Sequence, residues 1–267
     1  MVIPMKIDMH CHTKEGSLDG KVPIGDYIQL LKEKGIQGML VTDHNSYNGY
    51  RHWKKHMKGK EHEDFVVLKG IEYDTIDAGH ILVIMPETVK MYLLEMRGLP
   101  VHLLIDIVHH YGGILGPAHP CGEKFMSYAR TKRHRKNPQL IKRFDFVEAF
   151  NACEPLEANE EAKKLAEENG LACFGGSDAH KEACVGLAYT DIPKNITCES
   201  DLIKCVKRKI PMEGEGSFYK GTVKEKIGKI NKLLVFSFWF YNKGAGMVRR
   251  NKRKTELKKS EEEQRTH

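Results

Sequence analysis

The sequence predicts an α/β protein: a seven-stranded (β/α)7 TIM-like barrel with a basic C-terminal extension. Three observations carry that expectation. Short apolar runs alternate with amphipathic segments through the first four-fifths of the chain. Residues able to ligate metals recur where those runs end, as they do at the active rim of a barrel. The charge is also unevenly placed. The 267-residue chain carries a formal +7, yet residues 220–267 hold 14 Lys+Arg against 5 Asp+Glu, while the rest holds 29 against 31. A near-neutral barrel is therefore expected over residues 1–212. A basic extension is expected over 213–267, with an aromatic stretch (Leu233–Tyr241) and then a disordered tail.

Taken in order, the apolar run Val2–Ile7 predicts a first strand entering Asp8–Gly20. Pro23–Lys34 has helical spacing, with Ile24, Tyr27, Ile28 and Leu31 on one face and Gly35 just past its end. Ile36–Thr42 reads as the second strand, residues 48–58 as a basic helix, and Phe65–Ile71 as a third strand ending at Glu72. His80–Met85 reads as the fourth strand. The stretch before it is too short for a parallel crossover, so strands three and four are expected to pair antiparallel. Helices are expected over Glu87–Arg97 and Val101–Tyr111, then a strand over Gly113–Gly116 and an irregular basic segment over Cys121–Arg143. Strand six is Asp145–Asn151, a helix over Pro155–Asn169 stops at Gly170, strand seven is Leu171–Gly175, and a last helix covers Glu199–Lys209.

Composition removes several classes. No run approaches the ~20 apolar residues of a membrane helix. A cleaved leader is not expected, because candidate ligands begin at His10. The seven cysteines are odd in number and form no Cys-x-x-Cys, so a reducing, cytoplasmic setting is expected and a disulfide scaffold is not.

His10 and His12 alternate along a strand, so they share a face about 7 Å apart and leave Cys11 on the other. Asp178 and His180 repeat that spacing after the last strand. With Asp19, His44, Glu72, His80 and His119 they make nine nitrogen and oxygen donors, too many for one four- to six-coordinate ion. At least two metals are implied, and imidazole with carboxylate suits Mn²⁺, Zn²⁺ or Fe²⁺. His52, His56, His62, His102, His109, His110 and His134 read as surface or packing residues.

His10-x-His12 with Asp19, Thr42-Asp43-His44, Gly70-Ile71-Glu72, Gly79-His80, Pro117-Ala118-His119-Pro120 and Gly176-Ser177-Asp178-Ala179-His180 together resemble the PHP (polymerase and histidinol phosphatase) family over about residues 5–190. The resemblance implies a distorted seven-stranded barrel, a two- or three-metal phosphoesterase centre, and the nine residues above as its ligands. It further implies hydrolysis of a phosphate ester by a metal-activated water, with Glu72 as the bridging ligand and His80 or His180 as proton donor to the leaving group. Asp8 and Asp43 are expected to orient imidazoles. Aspartate at position 19 inclines the substrate toward a nucleotide or the 5′ end of a short oligonucleotide. Histidinol phosphate or another small metabolite is the alternative, and a binding module with structural metals is a third reading. Arg130 and Arg133, in the basic segment after His119, and Asn151, at the end of strand six, are the expected substrate contacts. The tail is a candidate for weak contact with nucleic acid or an anionic membrane. Oligomeric state is not set by anything in the sequence.

Overall fold

The computed structural model describes residues 4–122 and 126–220; the aromatic run and the basic end of the tail lie outside the described residues. The first half of the fold runs β1 (Met5–Cys11), α1 (Ile24–Glu33), β2 (Gly38–Val41), α2 (Asn48–His56), β3 (Val66–Asp74), β4 (His80–Ile84), α3 (Val101–His110) and β5 (Ile114–Pro117). The second half runs α4 (Lys132–Lys136), β6 (Phe146–Asn151), α5 (Leu156–Asn169), β7 (Ala172–Gly176), β8 (Ala188–Ile192), α6 (Glu199–Lys207) and β9 (Glu213–Gly216).

The result is an α/β fold built on a curled, mixed sheet of order β5-β4-β3-β2-β1-β8-β9, with β6 and β7 as a separate parallel pair. Hydrogen bonds connect the pair to the sheet on both sides. Asp145 N, just before β6, donates to Leu115 O on β5 (2.9 Å), and Asp178 N, just past β7, donates to His10 O on β1 (2.8 Å). The structure departs from a strict (β/α)7 repeat. β3–β4, β4–β5 and β1–β8 are antiparallel, and β3 turns into β4 with no helix between them. That β3–β4 hairpin follows from its short turn.

Four parts of the chain differ from the sequence expectation. Over residues 87–97 only a 3₁₀ turn, Tyr92–Glu95, forms. The chain there lies along β3 instead, where Tyr73 Oη donates to Met96 O, Gly98 N to Asp74 O, and Ile76 N to Leu99 O. β8 and β9 were not anticipated. β9 lies past residue 212, where the barrel was expected to end, and pairs with β8. The basic segment carries short helical turns, including α4, in place of continuous irregular chain.

Packing follows the alternation of each strand. Leu40, Leu68, Leu82, Ile84, Ile114, Phe146 and Phe174 fill one inner cluster, with the Phe146 and Phe174 rings stacked 4.0 Å apart. On the outside, α1 and α2 cover Met39, Val41 and Val67, while α3 covers Ile71, Val83 and Leu115. The predicted face of α1 (Ile24, Tyr27, Ile28, Leu31) is fully buried, roughly 1.5–3 kcal/mol of burial per side chain. α5 ends at Gly170, whose φ of 61° is the left-handed cap expected of a glycine there.

β1 contains the irregularity that matters most. Ile7 packs in the inner cluster, yet Cys11, which strict alternation would put on the same face, packs outside with Met39 and Val41. The β1–β2 register slips between Asp8 and Cys11. A bulge changes which side chains face inward. It lets the apolar Ile7 and Met9 fill the inner cluster while His10 and His12, further along, turn into the polar site.

Candidate metal centre

β3 builds the middle of the site. Its inner row runs Leu68, Gly70, Glu72, Asp74, apolar at one end and acidic at the other. A side chain at Gly70 would run into Leu40, which keeps the strands close just beneath Glu72. Glu72 is 1% exposed and is the point of convergence. Its Oε1 lies 2.8 Å from His80 Nδ1 and 3.0 Å from His119 Nε2. Its Oε2 lies 3.1 Å from His44 Nδ1, 3.2 Å from His12 Nε2 and 3.3 Å from His10 Nε2.

The remaining predicted ligands surround this carboxylate. His10 and His12 face each other, Nε2 to Nε2, at 3.0 Å, with Asp178 Oδ1 3.3 Å from His12. Asp19 Oδ2 lies 3.2 Å from His180 Nε2 and 3.5 Å from His44 Nε2. All nine predicted positions are thus brought together. Their donor atoms fall into groups with every atom within 4.8 Å of the others: His12, Asp19, His44 and His180; His10, His12 and Asp178; Glu72, His80 and His119. A further group, His44, Asp74 and His80, includes a residue the sequence reading omitted.

This donor set fits divalent ions. Glu72 Oε2 is buried and forms no hydrogen bond, although three imidazole nitrogens stand within 3.3 Å of it. Unpaired buried acceptors are rare, and nitrogens gathered around one without hydrogen-bond geometry are placed as ligands are. No thiol joins any of the groups. The electrostatics agree. Burial would raise Glu72, but His44, His80 and His10 outweigh it and hold the carboxyl well below its usual range. Burial also opposes ionisation of Asp19, and His44 and His180 reverse it in the same direction.

Two residues of the site carry positive φ, His119 at 31° and Asp178 at 49°. Such backbone is uncommon outside glycine and concentrates at functional sites. Both follow the end of a strand, where the chain turns across the open rim.

The neighbours of these ligands correct part of the sequence reading. Neither Asp8 nor Asp43 bonds an imidazole directly, although Asp43 reaches His12 Nδ1 through the Ser17 hydroxyl. Asp8 accepts from the backbone of His10 and from Ser177, tying β1 to β7; burial raises its pKa to about 6 against those hydrogen bonds. Asp43 accepts from Thr13 and from Gly49 N, bracing the loop after β1, and burial raises it to about 7. A carboxylate that does bond an imidazole of the site from behind is Glu148, with Oε1 2.8 Å from His10 Nδ1.

Asn151 is fully buried, and its Nδ2 donates to Glu148 and to Asp178 while its Oδ1 accepts from Cys153 N. It organises carboxylates and has no amide hydrogen left for a substrate. Arg130 donates to Cys121 O and Gly122 O and pairs with Glu161 on α5; Arg133 pairs with Asp77. Both arginines are held by the protein itself. The arginine tied directly to the cluster is Arg97, whose Nη2 bonds Asp74 Oδ2. It comes from the loop that the sequence reading made a helix.

A set of imidazoles and carboxylates gathered at the strand ends of an α/β fold is the site of a metal-dependent hydrolase. Comparison with known proteins identifies which kind. The PHP domain model matches residues 8–169, and a PHP-associated C-terminal model matches residues 157–209. The chain belongs to the PHP-domain family of metal-dependent phosphoesterases. No curated protein sequence matches the chain. Among solved structures it is similar to PsfC from Pseudomonas syringae PB-5123, with TM-score 0.61, 18% identity, and coverage of 82% of this chain and 93% of that one. It is also similar to a protein of Bifidobacterium adolescentis ATCC 15703 described as a metal-dependent phosphoesterase (TM-score 0.53, 16% identity, 75% and 96% covered). A third similar structure is endonuclease Q in complex with a 27-mer duplex carrying an abasic lesion at the active site (TM-score 0.53, 18% identity, 87% and 68% covered). At these identities the likeness is one of fold. Among the described residues, no helix is long and apolar enough to cross a membrane.

Proposed function

We propose that this protein hydrolyses a phosphate ester of a nucleotide or of the 5′ end of a short oligonucleotide, at a centre of two or three divalent ions. The observation that carries the reading is the convergence of five imidazoles, from the end of β1 and the residue after it, the loop after β2, the start of β4 and the turn after β5, on the single carboxylate Glu72. One group, His10, His12 and Asp178, would hold one ion with Glu72; His80 and His119 would hold a second with the same carboxylate; Asp19, His44 and His180 would hold a third. On this reading the ends of β1–β7 form one rim of a distorted seven-stranded barrel. Divalent ions bound there would supply Lewis acidity, lowering the pKa of water and offsetting charge on the phosphoryl oxygens.

The chain's own residues divide the remaining work. Glu72 sits between the groups, so its two oxygens keep them at fixed separation. Of the two imidazoles that could protonate the leaving oxygen, His80 has a carboxylate facing each ring nitrogen. His180 is the more exposed of the two (30% against 16%), and its Nδ1 donates to Asp178 O at 2.9 Å. The neutral ring would therefore offer Nε2 to the third ion, while the doubly protonated ring, released from that ion, would carry the proton to the leaving oxygen on Nε2. The nucleotide preference is supported by aspartate at position 19 and by the fold shared with endonuclease Q, which binds DNA. The runner-up, a small-metabolite phosphatase, uses the same centre. With Mn²⁺ present, kcat/KM on phosphomonoesters, nucleoside 3′,5′-bisphosphates and 5′-phosphorylated short RNA separates them. A best substrate lacking a nucleoside overturns the nucleotide assignment, and no turnover of any phosphate ester overturns the enzyme reading.

A further inference from the structure

Asp74 stands two residues after Glu72 on the same inner face of β3, the spacing seen for His10 and His12 and for Asp178 and His180. It is buried. Its two oxygens have different surroundings. Oδ2 is bonded by Arg97 Nη2, while Oδ1 lies 3.2 Å from His80 Nε2 and 3.6 Å from His44 Nδ1.

The His80 ring therefore has a carboxylate at each end. Nδ1 faces Glu72 Oε1 at 2.8 Å, with His119 Nε2 3.4 Å away, and Nε2 faces Asp74. A neutral imidazole has one nitrogen with a lone pair and one with a proton, and the partner of the second decides which is which. If Nδ1 ligates beside Glu72 and His119, the proton sits on Nε2, and Asp74 Oδ1, buried, 3.2 Å away and with no hydrogen bond formed, is the acceptor placed to take it. Glu148 already makes the corresponding hydrogen bond to His10, with Glu148 Oε1 2.8 Å from Nδ1 and the rest of the cluster on Nε2.

We propose that Asp74, held by Arg97, is a positioning residue that fixes the His80 ring and its tautomer so that Nδ1 is presented to the ion shared by Glu72, His80 and His119. Arg97 sits in the chain segment that lies along β3, where Gly98 N donates to Asp74 O, so backbone and side chain hold the same pair. The arrangement is a relay of fixed orientations, Arg97 to Asp74 to His80. It rests on the reading of this cluster as a metal centre.

The test is Mn²⁺ binding by calorimetry to the full-length chain stripped of metal, alongside wild type. Substitution of a carboxylate behind a ligating histidine weakens metal binding about 10–100-fold. Asp74→Ala is expected to weaken one class of Mn²⁺ site by that factor and to leave the others at wild-type affinity. Asp74→Asn, which keeps an acceptor of the same shape, is expected to recover part of the loss. In the Zn²⁺-loaded protein, ¹⁵N-histidine spectra should show a protonated Nε2 resonance that disappears in His80→Asn and shifts in Asp74→Ala. Should Asp74→Ala fail to fold, Asp74→Asn and the wild-type Nε2 resonance still decide the matter. Mn²⁺ isotherms of both variants superimposing on wild type, or a protonated Nδ1 on His80, overturn the proposal. Wild-type protein that binds no divalent ion overturns instead the metal-centre reading beneath it.

Discussion

Glu148 Oε1 lies 2.8 Å from His10 Nδ1, while its Oε2 accepts the backbone N–H of His119, so one buried carboxylate fixes a ring on β1 and the strained turn after β5. Asn151 donates to the same Oε2 and to Asp178. Residues from β1, the turn after β5, β6 and the end of β7 thus meet around Glu148, which belongs to none of the candidate metal groups among the described residues. Glu148→Gln keeps the shape but offers His10 an amide where it has a charged acceptor. Mn²⁺ affinity should fall about 10–100-fold, with the far-ultraviolet circular dichroism unchanged. An unaltered Mn²⁺ isotherm would show that His10 keeps its orientation without Glu148.

His12→Ala and Asp178→Ala address the proposed ligands directly. His12 Nε2 lies within 3.3 Å of both Glu72 and Asp178, so either change removes a donor from the His10, His12 and Asp178 group. Metal-dependent phosphoesterase activity should be lost in both variants while thermal melting remains cooperative. Wild-type turnover in either folded variant removes the metal-centre assignment.

The seam between β7 and β1 predicts a stability effect. A β-carbon on Gly176 would stand 2.4 Å from His10 Cβ and 2.6 Å from His10 N. The contact is with backbone and the base of a side chain, neither of which can turn aside. Gly176→Ala should therefore destabilise by ~1–3 kcal/mol, the usual range for overpacking. Urea unfolding checks it: the midpoint should fall with little change in slope. A midpoint equal to wild type would mean the strands part at that seam without cost.

Much of this centre is legible because strands place alternate residues on one face. His10 with His12 and Asp178 with His180 announce themselves by spacing, and the short turn before His80 puts it beside Glu72. Asp74 was hidden because Tyr73-Asp74-Thr75 reads as the start of a turn, whereas β3 continues through Asp74 under pairing from β4. β9 is Glu-Gly-Glu-Gly, a composition with low strand propensity that forms a strand only because β8 offers it an edge. Arg130 and Arg133 have the composition of a phosphate grip, but their acidic partners, Glu161 and Asp77, lie 31 and 56 residues away in the chain. Local pattern carries the strand faces. Pairing between distant residues decides which charges are already taken.

Glu199, away from the centre, predicts a pH effect on stability. It begins α6, is 2% exposed, and accepts the Lys69 N–H at 2.6 Å. Burial raises its pKa above the ordinary value of 4.5, against the pull of that hydrogen bond and of Lys69. Below pH 4.5 the group is protonated in both folded and unfolded chains, and its contribution to stability is fully present. As pH rises through the unfolded value toward the raised folded one, the unfolded chain ionises first. Stability is then lost across that window. Glu199→Gln cannot ionise, yet its side-chain oxygen can still accept from Lys69. The fall in melting temperature between pH 4 and pH 7 should therefore be smaller in Glu199→Gln than in wild type, measured in the same buffers with metal removed. Parallel melting curves for the two proteins across that range would show that Glu199 ionises as easily in the fold as in the open chain.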